Sequence, residues 1–183
     1  TSQSAYYALK ESFSRIERGE SDVALVGGAN CSGIYSNLTF KNFTNDNSVW
    51  RESVCAVFLL LESGESLKKR NRKPGCEIKQ LKSSVNIPDL FDISNHTPYE
   101  SMMRKNENNF CIFSGGFTEY DYEIQKKAAN TIWKKSFSWY EKLGNLGAAS
   151  VLMNIVAGIH FLKNNSFKNI DCVDKDPYAR ESY

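Results

Sequence analysis

The stretch Thr1–Ala29, TSQSAYYALKESFSRIERGESDVALVGGA, decides the fold class. Its first part reads as a helix over Tyr6 to Arg18, with Ala5, Ala8, Leu9, Phe13 and Ile16 recurring at helical intervals along one side. Ser2 at its start has the chemistry of a helix cap, because a serine oxygen accepts from the free N–H groups of a first turn. Asp22 to Val26 then reads as a short apolar strand closed by Gly27-Gly28, with a loop opening at Gly28-Ala29-Asn30.

Working outward, Val54-Cys55-Ala56-Val57-Phe58-Leu59-Leu60-Leu61 is a continuous apolar run, the pattern of a strand buried on both faces. Residues 63 to 73 read as a charged amphipathic helix, and Pro74-Gly75 turns the chain into Cys76-Glu77-Ile78-Lys79. From Ser83 to Asn109 the sequence is polar and interrupted by Pro88 and Pro98, as expected of a long surface excursion. Asp121 to Lys135 restores helical spacing, with Ile124, Ala128, Ile132 and Trp133 facing inward. Met153 to Leu162 continues a helix whose apolar face is expected at the centre, and Asn169 to Val173 starts a last strand. Helices and apolar strands in this mixture predict an α/β domain over residues 1–183, without repeats or a linker.

Composition bounds the function. A chain of 183 residues with 41% hydrophobic residues builds a core of its own. It contains no run of about eighteen apolar residues. The net charge of +2 is too small to argue for a nucleic acid or an acidic surface. The single basic cluster, Lys68-Lys69-Arg70-Asn71-Arg72-Lys73, reads first as a solvated helix end. Cys31, Cys55, Cys76, Cys111 and Cys172 are odd in number and lack metal-type spacing, which argues against a zinc site and a secreted disulfide framework and for a reducing cytoplasm. Cys55 and Cys111 lie in apolar runs and are expected to be small buried hydrophobes. Of the two histidines, His96 sits in a polar loop, and His160 follows the apolar run of the last helix and reads as structural.

Thr1–Ala29 resembles the segment after the nucleophile of a β-ketoacyl synthase, which reads Cys-Ser-Ser-Ser-Leu, a helix, Arg-Gly-Glu-x-Asp and a strand ending Gly-Gly. Counting back from Arg18-Gly19-Glu20 places Ser2 where that family has its cysteine. Phe110–Thr118, FCIFSGGFT, resembles the family's strand and His-Gly-Thr-Gly-Thr loop, with Ser114 at the first histidine. Leu143–Ser150, LGNLGAAS, resembles the Gly-His-x-Gly-Ala-Ala turn, with Asn145 at the second. Trp50-Arg51-Glu52-Ser53-Val54 stands where the family shows a Gly-Glu-Gly loop, and the terminal Gly-Phe-Gly-Gly loop is not recognisable.

The resemblance implies the thiolase-like fold, a layered α/β/α/β/α arrangement of two related halves, of which this chain supplies roughly the C-terminal one. It also implies a chain that has lost condensing chemistry. A thiolate is a good acyl acceptor because it ionises near neutral pH, whereas a serine hydroxyl needs an adjacent base. Neither Ser114 nor Asn145 can move a proton as a histidine does, although Asn145 can donate to a carbonyl oxygen. Family members of this kind are chain length factors. They bind no cofactor and no metal, pair with a catalytic ketosynthase, and shape the tunnel into which acyl carrier protein delivers its phosphopantetheine-borne chain. Basic surface such as 68–73 is then a candidate meeting place for that acidic carrier.

Two alternatives stay open. One is an acyltransferase or hydrolase with a Ser or Thr nucleophile, using His160 or a free amine at Thr1 as base; the other is a structural pseudoenzyme. The start at Thr1 reads either as an artificial cut or as processing of a longer precursor whose N-terminal half stays bound, with the Thr1 hydroxyl as the cleaving nucleophile.

Overall fold

The computed structural model describes residues 4–31, 53–85, 110–115, 119–164, 167–174 and 181–182. Thr1, Ser2, His96 and Trp50–Glu52 lie outside the described residues.

Helix α1 spans Ser4–Glu17 and buries Ala5, Tyr6 and Leu9. It stops because Gly19 takes a left-handed φ of 71°, so that its N–H reaches the Ile16 carbonyl and the Glu20 N–H reaches that of Arg15, closing the orphan carbonyls of the last turn. The expected inward stripe is corrected at one position, where Ala8 is exposed and Tyr6 takes the buried place.

Strand β1, Val23–Asn30, runs antiparallel to β2, Cys55–Glu62, with Leu25 opposite Leu60 and Gly27 opposite Phe58. The expected end of the strand at Gly27-Gly28 is wrong, because both glycines lie inside it. A Cβ at Gly27 would meet the Phe58 ring at 2.6 Å, and one at Gly28 would meet the Ala148 carbonyl at 2.8 Å, so each marks a close approach rather than a turn. The expectation that β2 is buried on both faces also fails: Val57 and Leu59 are buried while Phe58 and Leu60 are exposed. Cys55 at its start is only partly buried.

The charged helix predicted over 63–73 is shorter. Helix α2 occupies Gly64–Lys69, with the Ser63 hydroxyl accepting from the Ser66 N–H as its cap and no buried residue. Arg70, just after it, turns back to pair with Glu62, whose carboxylate also accepts from the Ser66 hydroxyl at 2.7 Å. A short strand β3, Ser84–Val85, pairs antiparallel with β7, Glu181–Ser182.

The second sheet is parallel, in the order β5-β4-β6, from β4 (Phe110–Phe113), β5 (Lys135–Ser138) and β6 (Asp171–Val173). All four residues of β4 are buried because both faces are covered. Cys111 and Phe113 face helix α3 (Glu119–Ile132) through Tyr122, Ala128, Ala129 and Trp133. Phe110 and Ile112 face helix α5 (Ser150–Asn164) through Ala157 and Phe161. The helix expected to reach Lys135 ends at Ile132, because Lys135 already belongs to β5, and the short helix α4 (Tyr140–Leu143) follows.

One side of α5 therefore meets β4, while Val151 and Leu152 on another side join α1 and the inner residues Val26, Val57 and Leu59 of the first sheet. The layers run α3, then β5-β4-β6, then α5 with α1, then β1-β2. The described residues build four layers and end on a sheet.

Candidate functional site

Ser114 follows β4 and is held from two directions. Its N–H donates to the Val173 carbonyl at 3.2 Å, extending the ladder to β6. Its hydroxyl donates to Oδ1 of Asp174, and the Ser150 hydroxyl donates to Oδ2 of the same carboxylate at 2.8 Å. Asp174 is 7% exposed, and the two hydroxyls, one of them at the N-terminal end of α5, give its carboxyl group hydrogen-bond partners in place of water. Next to it, Asn154 is fully buried and donates from Nδ2 to the Val173 carbonyl at 3.2 Å, tying α5 to the end of β6.

After Ser114 the backbone turns through Gly115, whose φ is 90° and whose N–H donates to Oε1 of buried Gln125 at 3.1 Å. A Cβ there would lie 2.6 Å from that of Tyr140, so the turn needs glycine. Tyr140 stacks on Tyr122 with ring centroids 5.0 Å apart. The Tyr122 hydroxyl donates to Glu141, which also accepts from Lys126 at 3.0 Å. Burial, and then this bond to a carboxylate, push the Tyr122 phenol up to about 12.

Asn145 occupies the turn between α4 and α5 and is 5% exposed. Its Oδ1 accepts from the Gly147 N–H at 2.8 Å. Its Nδ2 has no hydrogen-bond partner among the described residues, leaving a buried donor aimed away from the backbone it caps. The turn is fastened to the first sheet: the Asn145 carbonyl accepts from the Ser53 N–H at 3.0 Å, the Ser53 hydroxyl donates to the Leu143 carbonyl, and Asn30 Nδ2 donates to the Ser53 carbonyl at 2.8 Å. Gly147 sits so close that an added Cβ would fall 2.3 Å from Asn30 Oδ1.

The structure thus brings Ser114 to the mouth of α5 through Asp174 and Ser150, with Asn145 five residues upstream on the turn that opens the same helix. Ser2 and Thr1 lie outside the described residues. His160 is exposed ten residues beyond Ser150, about 15 Å along the helix by its rise, and its neighbour Asn164 donates to its carbonyl at 3.0 Å. It stands far from the Ser114–Asp174 pair. Burial raises the Cys55 and Cys76 thiols, holds Cys111 well above the ordinary value and, with Asp171 nearby, pushes Cys172 up to about 12. All four are held as thiols at neutral pH. Among the described residues no group of three or more His, Cys, Asp or Glu is placed to hold a metal ion, and no helix is long and apolar enough to cross a membrane.

Sequence reading missed Asp174, Gln125 and Asn154. Asp174 had one signal, a carboxylate directly after an apolar strand. Gln125 and Asn154 had a similar one, a polar side chain on a helix side otherwise occupied by Ile, Ala or Leu.

This layered arrangement, with a buried turn opening a central helix, is that of the thiolase-like fold, which solved ketosynthases share. The chain aligns over 99% of its length with a type II polyketide synthase ketosynthase solved bound to a hexaketide in complex with its acyl-carrier protein (TM-score 0.66, 19% identity, 55% of that chain). It aligns over 97% with the ishigamide ketosynthase/chain length factor (TM-score 0.69, 16% identity, 56% of that chain). A β-ketoacyl synthase from Burkholderia phymatum STM815 matches 89% of this chain with 47% of its own (TM-score 0.65, 18% identity). The chain spans about half the length of these solved structures. No protein-family model matches the sequence, and no curated protein does.

Proposed function

We propose that this chain belongs to a noncatalytic ketosynthase-like subunit, a chain length factor, which pairs with an active ketosynthase and helps shape the acyl tunnel of type II polyketide or related acyl-chain biosynthesis. The observation that carries the reading is the state of the two buried positions that resemble the family's histidines. Ser114 is committed to Asp174, and Asn145 is committed through Oδ1 to Gly147. Neither side chain is a base, so neither supports decarboxylation of a malonyl group or deprotonation of a nucleophile. The Asn145 amide has the chemistry to donate to a carbonyl oxygen but not to move a proton. Its partners would be the active ketosynthase, acyl carrier protein with its phosphopantetheine arm and the N-terminal half of the fold. A cytoplasmic setting suits five cysteines without metal-type or disulfide-framework spacing.

One observation favours a second reading. The Ser114 hydroxyl donates to a buried carboxylate, the direction in which a proton would leave a serine nucleophile. Intact-mass analysis after incubation with malonyl- and acyl-loaded carrier protein separates the two. The expected result is no covalent adduct on this chain, and a change in product length when it is withdrawn from a reconstituted ketosynthase. An acyl group on Ser114, Ser2 or Thr1 overturns the noncatalytic reading, and an unchanged product length reduces the chain to a scaffold.

A further inference from the structure

We infer that Tyr140 is a built-in plug, whose ring fills the crevice between the carboxyl ends of β4 and β5 beside Ser114 and is held there by Tyr122, Glu141 and Lys126. The inference rests on the noncatalytic reading and adds a steric reason for it to the missing bases. Topology marks the place. In open α/β sheets, ligands enter outside the carboxyl ends of parallel strands, where neighbouring strands send their connections to opposite faces. β4 and β5 are parallel neighbours, with Phe113 paired to Ser138. β4 leads into α3, over the face of Cys111 and Phe113, whereas β5 leads through α4 into α5, over the face of Phe110 and Ile112. The crevice between them is therefore bordered by Ser114 and Gly115 on one side and by Trp139 and Tyr140 on the other.

That space is taken by the chain itself. A glycine at such an edge lets a ligand come close to the backbone. At Gly115 the close approach is made by Tyr140, whose Cβ and Cγ lie 2.6 and 3.0 Å from where a Gly115 Cβ would stand. Tyr140 is 3% exposed and stacks at 15° on Tyr122, which stacks at 15° on Phe113, so three rings lie in file from the strand to the crevice. Ser114 beside them is 6% exposed. Glu141, the residue after the plug, accepts from the Tyr122 hydroxyl and, at 3.0 Å, from Lys126, whose ammonium also lies 5.0 Å from the centre of the Tyr122 ring. These contacts clamp α4 to α3 across the crevice through side chains alone. Ring and carboxylate sit on one helix of four residues that ends at Gly144, so they enter or leave the crevice together.

The test places a thiol at the shielded position, with Ser114→Cys in the full chain, and follows its alkylation by iodoacetamide at that peptide by mass spectrometry. The expected result is slow labelling that accelerates by at least about 100-fold when Tyr140→Ala is added and by about tenfold with Tyr122→Phe or Glu141→Gln. Adding Tyr140→Phe, which keeps the ring, should leave the rate unchanged. Ile112→Ala, on the other face of β4, controls for general loosening and should also leave it unchanged. Should Tyr140→Ala fail to fold, Tyr140→Leu takes its place, and amide exchange at Gly115 with native Ser114 gives a second reading of the Glu141→Gln variant. Rapid labelling of Ser114→Cys alone overturns the inference. So does a rate indifferent to Tyr140→Ala, or one raised as much by Ile112→Ala. Incubating the Tyr140→Ala chain, with native Ser114, with acyl-loaded carrier protein tests the underlying reading separately. An acyl group on Ser114 overturns the noncatalytic reading and leaves the plug standing, and an unmodified Ser114 in a chain whose thiol counterpart labels rapidly supports both.

Discussion

Two of the described sheets each hold a strongly apolar strand, β4 in one and β2 in the other, and the two strands end in opposite conditions. FCIF of β4 is covered by α3 on one face and α5 on the other, and none of its residues is exposed. CAVFLLLE of β2 is covered on one face only, and alternate residues stand in solvent. Apolar content therefore does not distinguish a finished sheet from an unfinished one. What distinguishes them among the described residues is cover: α3 and α5 lie on the two faces of the first, and the α1/α5 layer lies on one face of the second.

Substitutions on the two sheets should break along that line. Ile112→Ala, in the doubly covered strand, is expected to cost about 2–5 kcal/mol in urea unfolding, from lost burial and the cavity left behind. Asp174→Ala removes the acceptor of both Ser114 and Ser150, and is expected to cost about 1–3 kcal/mol; a variant as stable as the parent would mean that the hydroxyls find other partners. Glu141 offers a smaller, pH-dependent effect. The Tyr122 hydroxyl and then Lys126 hold its carboxyl below the ordinary value. Its contribution is therefore present above the unfolded carboxylate pKa, about 4.3, and disappears as pH falls through the lower folded value. Glu141→Gln should flatten the slope of stability against pH in that acid window and nowhere else. The smallest effect belongs to the open face, where Leu60→Lys in the isolated chain should stay within about 0.5 kcal/mol. A loss as large as that of Ile112→Ala would show that the face is covered already.

The same contrast marks what the sequence could reveal. Helix α5 and strands β4 and β6 were legible because periodicity and apolar runs reflect burial that the chain itself completes. The run at 54–61 signalled burial on two faces, and the described residues cover one. Gly27 and Gly28 misled because glycine marks turns and close approaches alike, and only tertiary neighbours tell which. At the site, Ser114 and Asn145 were found by their place in a resemblance, whereas Asp174 became visible only when three distant segments met. A hydrogen-bond network spanning residues 114, 150 and 174 leaves no local spacing to read.

The contact between Gly147 and Asn30 has a consequence for how such a chain can change over generations. The absent side chain at one position and the amide at the other fill a single shared space. Neither can be replaced freely while the other stays, so the two positions inherit each other's history. Across relatives, an enlarged residue at the position of Gly147 should travel with a reduced one at that of Asn30, and independent variation at both would show that the turn bearing Asn145 has come loose from the sheet.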